Sequence, residues 1–368
     1  MIVHERSPAP PRGFSSKARV YLRPTALVSA RDDGDERALP LAGGPLAFTA
    51  CEVMVREPGR LITARLPVAA IGDWAATLTA AQAARVAELM ERLVAARPPI
   101  AGIDPSTPRI MGVINVTPDS FSDGGDHADA EAAIAHGRAL AKAGADILDV
   151  GGESTRPGAD PVDAEHECAR VILVIRALAA DGFTVSIDSR RATVMAAGIE
   201  AGARLVNDVS ALSFDPRAMA TVAAAGVPVV LMHARGDPKT MQKDPVYDHA
   251  PLDVHDTLEA RIAACVAAGI DRDRVIVDPG IGFGKTLAHN LEILDQLALY
   301  HGLGCPLLLG VSRKSFIGRI AHVAEAKARF PGSLAAGLAG LARGVQILRV
   351  HDVAETAQAV AVWRAIAS

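Results

Sequence analysis

From position 109 onward the chain alternates short, wholly apolar runs with amphipathic stretches. The runs are RIMGVINV (109–116), ILDVGG (147–152), TVSIDS (184–189), LVNDVS (205–210), PVVLMH (228–233), VIVDPG (275–280), PLLLGVS (306–312) and VQILRV (345–350). A strand that is apolar throughout is buried on both faces, as in a parallel sheet covered by helices. Helices are expected between the runs, at 129–143, 164–180, 252–268 and 354–366 among others. Eight such units in roughly 260 residues predict an α/β fold, the eightfold β/α (TIM) barrel. A doubly wound open sheet is the rival arrangement.

The first hundred residues follow a different pattern. Three β-like segments, VYLRP (20–24), AFTACEVMV (47–55) and LITARLPV (61–68), are separated by Gly, Pro and charged turns. A helix is expected over 74–96, N-capped by Asp73 and stopped by Pro98 and Pro99. Residues 98–108 read as a linker. The expected organisation is a small N-terminal α+β appendage (1–100) without a chemical motif, then a catalytic barrel (109–368).

Composition narrows the function. Half the residues are apolar but only 4% aromatic, which implies tight packing of small side chains. A net charge of -4 supplies no broad basic surface for nucleic-acid phosphates, so nucleic acid is not an expected partner. No apolar stretch is long enough to span a bilayer, and the opening MIVHERSPAPPRG lacks the core of a signal peptide. No membrane association and a cytoplasmic location are expected. Cys51, Cys168, Cys265 and Cys305 are dispersed without a CxxC pair, the pattern of reduced, structural thiols.

In a β/α barrel the active site is built from the C-terminal ends of the strands and the loops that follow. Each apolar run here ends in polar residues: Asn115; Glu153 to Arg156; Asp188; Asn207 and Asp208; His233; Asp278; Ser312 and Lys314; Arg349 and His351. Any one of them could simply cap the next helix. As a set they resist that explanation, because Asp188, Asn207, Asp208 and Asp278 lie within or against apolar runs, where an unpaired carboxylate is costly. Asp188, Asn207 and Asp278 suit a flat, neutral heterocycle with amino and ring N–H groups, purine-like or pterin-like. Asn115, Thr155, Arg156, Arg349 and His351 suit an anion such as phosphate, and Asn115 also offers an oxygen to Mg²⁺.

Three loops complete the inventory. DPGIGFGKT (278–286) lacks the spacing of a phosphate-binding P-loop; its glycines allow a tight turn beneath an exposed Phe283 and bring Lys285 toward the mouth. TPDSFSDGGDHAD (117–129) and ESTRPGADPVD (153–163) have the composition of lids that exclude water.

From about residue 110 to the C-terminus the chain carries, in order, MGVINVTPDSFSDGG, ADILDVGGESTRPGA, SIDS, VNDVSAL, VLMH with TMQ, DPGIGFGKTLAHNLEIL, LLGVSRKSFIG and LRVHDV. With these motifs it resembles the dihydropteroate synthases of the pterin-binding enzyme family. The resemblance implies a barrel transferase of folate biosynthesis that condenses 6-hydroxymethyl-7,8-dihydropterin diphosphate with 4-aminobenzoate, assisted by Mg²⁺, and is a target of sulfonamides. It further implies that Asp188, Asn207, Met232, Asp278 and Lys314 hold the pterin, and that Asn115, Thr155, Arg349 and His351 hold the diphosphate, with Asn115 on the metal. Arg156, Pro157, Phe283, Ser312 and the loop after Asn115 would form the aminobenzoate site; Asp188, Lys314, Arg349 and His351 would be catalytic. Family members usually pair as homodimers through their last helices. Three departures stand out, SIDS followed by Arg190 and Arg191 in place of the commoner SIDT, the stretch between His233 and Thr240 in MHARGDPKTMQ, and an additional first hundred residues. The competing readings are a pterin-binding methyltransferase and a catalytically idle pterin-binding paralogue.

Overall fold

The computed structural model describes residues 3–30, 38–116, 125–153, 162–236 and 241–367, with the side chains of 125–128 left aside. Thr155, Arg156, Pro157, Thr240 and most of the loop after Asn115 lie outside these residues.

The eight apolar runs form the eight strands of one parallel sheet: β6 (Arg109–Asn115), β7 (Ile147–Gly151), β8 (Val185–Asp188), β9 (Leu205–Asp208), β10 (Val229–Met232), β11 (Val275–Asp278), β12 (Leu308–Gly310) and β13 (Ile347–Val350). Their order is β11-β10-β9-β8-β7-β6-β13-β12, and a parallel bridge between Val277 and Leu307 joins the two ends into a closed barrel. The rival open sheet is therefore excluded. Around the strands run α3 (Gly125–Lys142), α4 (Ala164–Ala180), α5 (Ala192–Glu200), α6 (Ala218–Ala225), α7 (Ala250–Ala267), α8 (Leu287–Asp295), α9 (Ser315–Ala321), α10 (Phe330–Leu341) and α11 (Val353–Ala367).

Alternation along each strand divides the apolar side chains between two cores. Outward residues such as Ile114, Val150, Ile187, Val206 and Leu231 pack under the helices. Inward residues Met111, Ile147, Leu205, Val230, Ile276, Leu308 and Ile347 fill the lower barrel together with Ile100. Ile100 and Ile103 exchange two backbone hydrogen bonds of 2.8 Å, so the expected linker folds into a plug beneath the strands.

The N-terminal part holds β1 (Val3–Arg6), β2 (Arg19–Ser29), β3 (Leu39–Pro40), β4 (Leu46–Glu57) and β5 (Arg60–Pro67) in one sheet, followed by α1 (Val68–Ala75) and α2 (Ala80–Val94). The strand expected to stop at Pro24 continues to Ser29, because β2 is an edge strand and tolerates the missing N–H. The single helix expected over 74–96 is two. The chain breaks at Thr79, which starts α2 with a reciprocal capping box to Gln82.

This appendage is docked on the barrel rather than tethered to it. Tyr21, Met54 and Leu61 form a buried apolar cluster with Leu252 of α7 and Leu299 of the 3-10 segment Leu297–Leu303. Around the cluster, Arg56 reaches Asp253 at 2.6 Å, Arg19 reaches Asp256 at 3.2 Å, and Arg85 and Arg92 reach Glu259 at 2.7 and 3.3 Å. No described helix is long and apolar enough to cross a membrane.

Candidate active site

Strand register sets the level at which each polar tip enters the barrel mouth. Asn115 lies beside Gly151, Gly151 beside Asp188, and Asp188 beside Asn207, so one row of tips crosses four neighbouring strands. Gly151 keeps the row open: a Cβ there would sit 3.3 Å from the Asp188 Cβ.

One layer lower on the same face of β7 lies Asp149, fully buried. Arg349 on β13 reaches over β6 and joins the acids, donating from Nε to Asp149 Oδ2 at 2.6 Å and from Nη2 to Asp188 Oδ2 at 2.7 Å. Asn207 Nδ2 donates to the same Asp149 oxygen at 3.0 Å, while Asp149 Oδ1 is buried with no protein partner. A buried carboxylate oxygen without a donor is expensive, and in a pocket it marks where a ligand N–H or a water belongs. Asp149 was not among the expected site residues.

A second group sits across the mouth. Asp278 accepts the Gly280 N–H at 2.7 Å, and Lys314 donates its Nζ to Ile281 O while standing 4.8 Å from the centre of the Phe283 ring. Buried Met232 is in register with Asp278. A Cβ on Gly310 would lie 3.8 Å from both Asp278 Oδ2 and Lys314 Nζ and 3.9 Å from Arg349 Cβ, so the two groups adjoin one another at the barrel mouth. At its edge Ser312 Oγ accepts the His351 N–H at 3.2 Å and lies 3.0 Å from His351 Nδ1.

Electrostatics follow from burial. Burial pushes the Asp188 carboxyl upward, opposed by Arg349 and assisted by Asp149. Asp278 is raised, again by burial, against the pull of Lys314. Burial lowers the Lys314 ammonium to about 8, Asp278 opposing and Arg349 reinforcing. Three acids, Asp149, Asp188 and Asp278, thus face two cations, Arg349 and Lys314, in a largely dry floor.

Other polar tips serve the frame. Asp208 turns away from the pocket and accepts from Ser210 N, Ser210 Oγ and Leu212 N at 2.7, 2.7 and 2.8 Å. Glu153 is held by Arg190 and Arg191 at 3.0 and 2.8 Å, and Arg191 also pairs with fully buried Glu167. Lys285 does not reach the mouth. It is buried under its own loop, donating to Gly280 O at 2.8 Å, Phe283 O at 3.0 Å and His233 O at 3.2 Å, with His233 Nδ1 at 2.9 Å. Phe283 is part-buried rather than exposed. Gly280 and Gly284 adopt φ of +67° and +63°, and a Cβ on either would collide with the carbonyl oxygens of His233 and Arg235. The glycines therefore serve close packing of two adjacent loops, not phosphate binding.

Asn115 is half-exposed at the rim. Among the described residues no group of three His, Cys, Asp or Glu is placed to hold a metal ion.

Comparison with known proteins agrees with this geometry. Residues 111–351 match the family model described as pterin binding enzyme. The dihydropteroate synthase of Escherichia coli K12 is 46% identical over 268 residues, which cover 72% of this chain and 94% of that protein. A solved structure of the Xanthomonas albilineans dihydropteroate synthase with 4-aminobenzoic acid superposes with a TM-score of 0.68 at 48% identity, covering 72% of this chain and 96% of that one. The same enzyme in complex with 7,8-dihydropteroate gives 0.66 at 46% identity over 72% and 95% of the two chains. The chain belongs to the pterin-binding enzyme family and, within it, to the dihydropteroate synthases.

Proposed function

We propose that the barrel mouth condenses 6-hydroxymethyl-7,8-dihydropterin diphosphate with 4-aminobenzoate, releasing 7,8-dihydropteroate and diphosphate, and that the acidic floor is the pterin seat. The observation carrying this assignment of residues is the pair of buried acids bridged by Arg349, with one oxygen of Asp149 left without a donor. Asp149, Asp188, Asn207 and Asp278 accept the amino and ring N–H groups of the heterocycle, and Met232 packs against its face.

The reaction displaces diphosphate from the pterin methylene by the aryl amine. Positive charge grows on the methylene and ring as the bond to oxygen lengthens, and the Asp188 and Asp278 carboxylates stabilise it across a low-dielectric pocket. Arg349 and Lys314 offset the negative charge of the departing group, with His351 donating at the rim. The amine is a competent nucleophile, so the chain supplies position rather than a covalent intermediate. Phe283 and Ser312 contribute to the aminobenzoate site, to which the family resemblance adds Arg156 and Pro157, and sulfonamides compete there.

Mg²⁺ fits this arrangement through Asn115, whose amide oxygen at the rim is a hard donor of the kind Mg²⁺ shares with substrate phosphates and water. Bound there, it would neutralise charge on the diphosphate. Exposed Val362 and Ile366 on α11 favour pairing of two copies through the last helices.

The test is direct. Purified protein is mixed with the pterin diphosphate, labelled 4-aminobenzoate and Mg²⁺, and labelled pteroate is expected. Its absence, with transfer from a methylated folate instead, would put the methyltransferase reading ahead.

A further inference from the structure

We infer that Arg56, in the appendage, is a positioning residue for the Phe283 loop of the active site. The inference rests on the synthase reading for which substrate the loop touches, but not for the mechanical linkage itself.

The linkage can be followed atom by atom. Arg56 Nη2 lies 2.6 Å from Asp253 Oδ1 in the first turn of α7 and 3.8 Å from Asp248 Oδ2. The other oxygen of Asp253 accepts the N–H groups of Asp248 and His249 at 2.8 and 3.3 Å, fixing the backbone where the 241–249 segment enters the helix. Immediately before them, Tyr247 donates its hydroxyl to Gly284 O at 2.8 Å, and Gln242 Nε2 donates to Gly282 O at 2.5 Å. These two carbonyls flank Phe283, whose ring lies against Lys314, and Lys314 in turn donates to Ile281 O. Lys285 pins the loop from below, so its remaining freedom is lateral, toward or away from the 241–249 segment.

The other interdomain arginines act elsewhere. Arg85 and Arg92 hold Glu259, six residues further along α7, about 9 Å down the helix from Asp253. Only at Arg56, among the described ion pairs between appendage and barrel, does the carboxylate partner also bond the backbone entering from the active-site side. Small displacements of a substrate-contacting loop change binding and rate steeply.

The experiment compares Arg56→Ala, Arg56→Lys, Tyr247→Phe and Arg85→Ala, measuring kcat, both KM values and thermal midpoint. Arg56→Ala is expected to raise KM for 4-aminobenzoate about three- to tenfold, as for one lost charge-assisted contact, with kcat changed less. Arg56→Lys should recover most of it, and Tyr247→Phe should give a similar rise that does not add to that of Arg56→Ala. Arg85→Ala should lower the thermal midpoint without moving KM. Equal effects of Arg56→Ala and Arg85→Ala on KM, or additive effects of Arg56→Ala and Tyr247→Phe, would overturn the inference. If the wild-type protein made no pteroate, the linkage would still be read by hydrogen exchange of 280–286: faster in Arg56→Ala and unchanged in Arg85→Ala supports it, and unchanged in both rejects it.

Discussion

Replacing Arg349 with alanine would strand two carboxylates at once. Asp149 is fully buried, Asp188 is largely so, and the guanidinium approaches them at 2.6 and 2.7 Å. Removing one partner of a buried ion pair costs about 3–5 kcal/mol, because the remaining charge has no compensation. At roughly 2 °C per kcal/mol for a domain of this size, the thermal midpoint should fall by about 6–10 °C. The deficit depends on pH with a definite sign. Asp188 already has a folded-state pKa raised above its unfolded value, and losing Arg349 raises it further. Such a group favours the fold at pH values below its unfolded pKa and loses that contribution as pH rises through the folded pKa. The variant should therefore come closer to the wild type at about pH 5 than at about pH 8. Adding Asp149→Asn should restore part of the midpoint, since one stranded charge is gone, without restoring turnover, which should stay about 10²- to 10³-fold down. Circular-dichroism melts at the two pH values, with pteroate formation on the same preparations, give the answer. A midpoint unchanged at both pH values would refute the reasoning that the guanidinium balances the floor acids.

Three further outcomes are expected. Because burial brings Lys314 down to about 8, kcat/KM should fall as pH rises through about 8, and Lys314→Arg should move that limb upward; a flat profile in the wild type would speak against a required ammonium. Lys285→Met removes the donor to Gly280 O and Phe283 O and should cost about 2–3 kcal/mol in urea unfolding, with a weaker effect on kcat than Lys314→Met. Burial lowers His249 to about 4 and His301 to about 3, so these rings fold neutral; stability should be full above about pH 6.5, their unfolded value, and decline as pH falls toward the folded values, an effect that His301→Gln should reduce in urea midpoints.

The barrel was legible because a strand buried on both faces has no polar position to interrupt it, and all eight runs became strands. The tips were legible for the converse reason: Asp188, Asn207, Asp278 and Arg349 lie at the ends of apolar runs, where a polar side chain is costly unless the fold supplies partners. Asp149 escaped because it sits within its run, between Leu148 and Val150, and its partner is 200 residues away on β13. Lys285 was misplaced because a lysine beside a glycine-rich turn reads as exposed; only the fold shows its carbonyl partners closing over it. The break between α1 and α2 had a local signal in Thr79 and Gln82, overridden by apolar spacing that continues from Trp74 to Leu78. Docking of the appendage had none. Arg19, Arg56, Arg85 and Arg92 are scattered over more than seventy positions of sequence and become one surface only when the sheet and α2 are assembled.

The acids that receive those arginines, Asp253, Asp256 and Glu259, occupy every third position on one face of α7. Trimming the chain to its catalytic barrel would leave like charges stacked on successive turns, each neighbouring pair unfavourable by about 0.2–0.5 kcal/mol, around freshly wetted Leu252 and Leu299. A minimal enzyme cut from this protein must be recharged and repainted on that flank, with amides for the acids and polar groups for the two leucines, before shortening it can succeed.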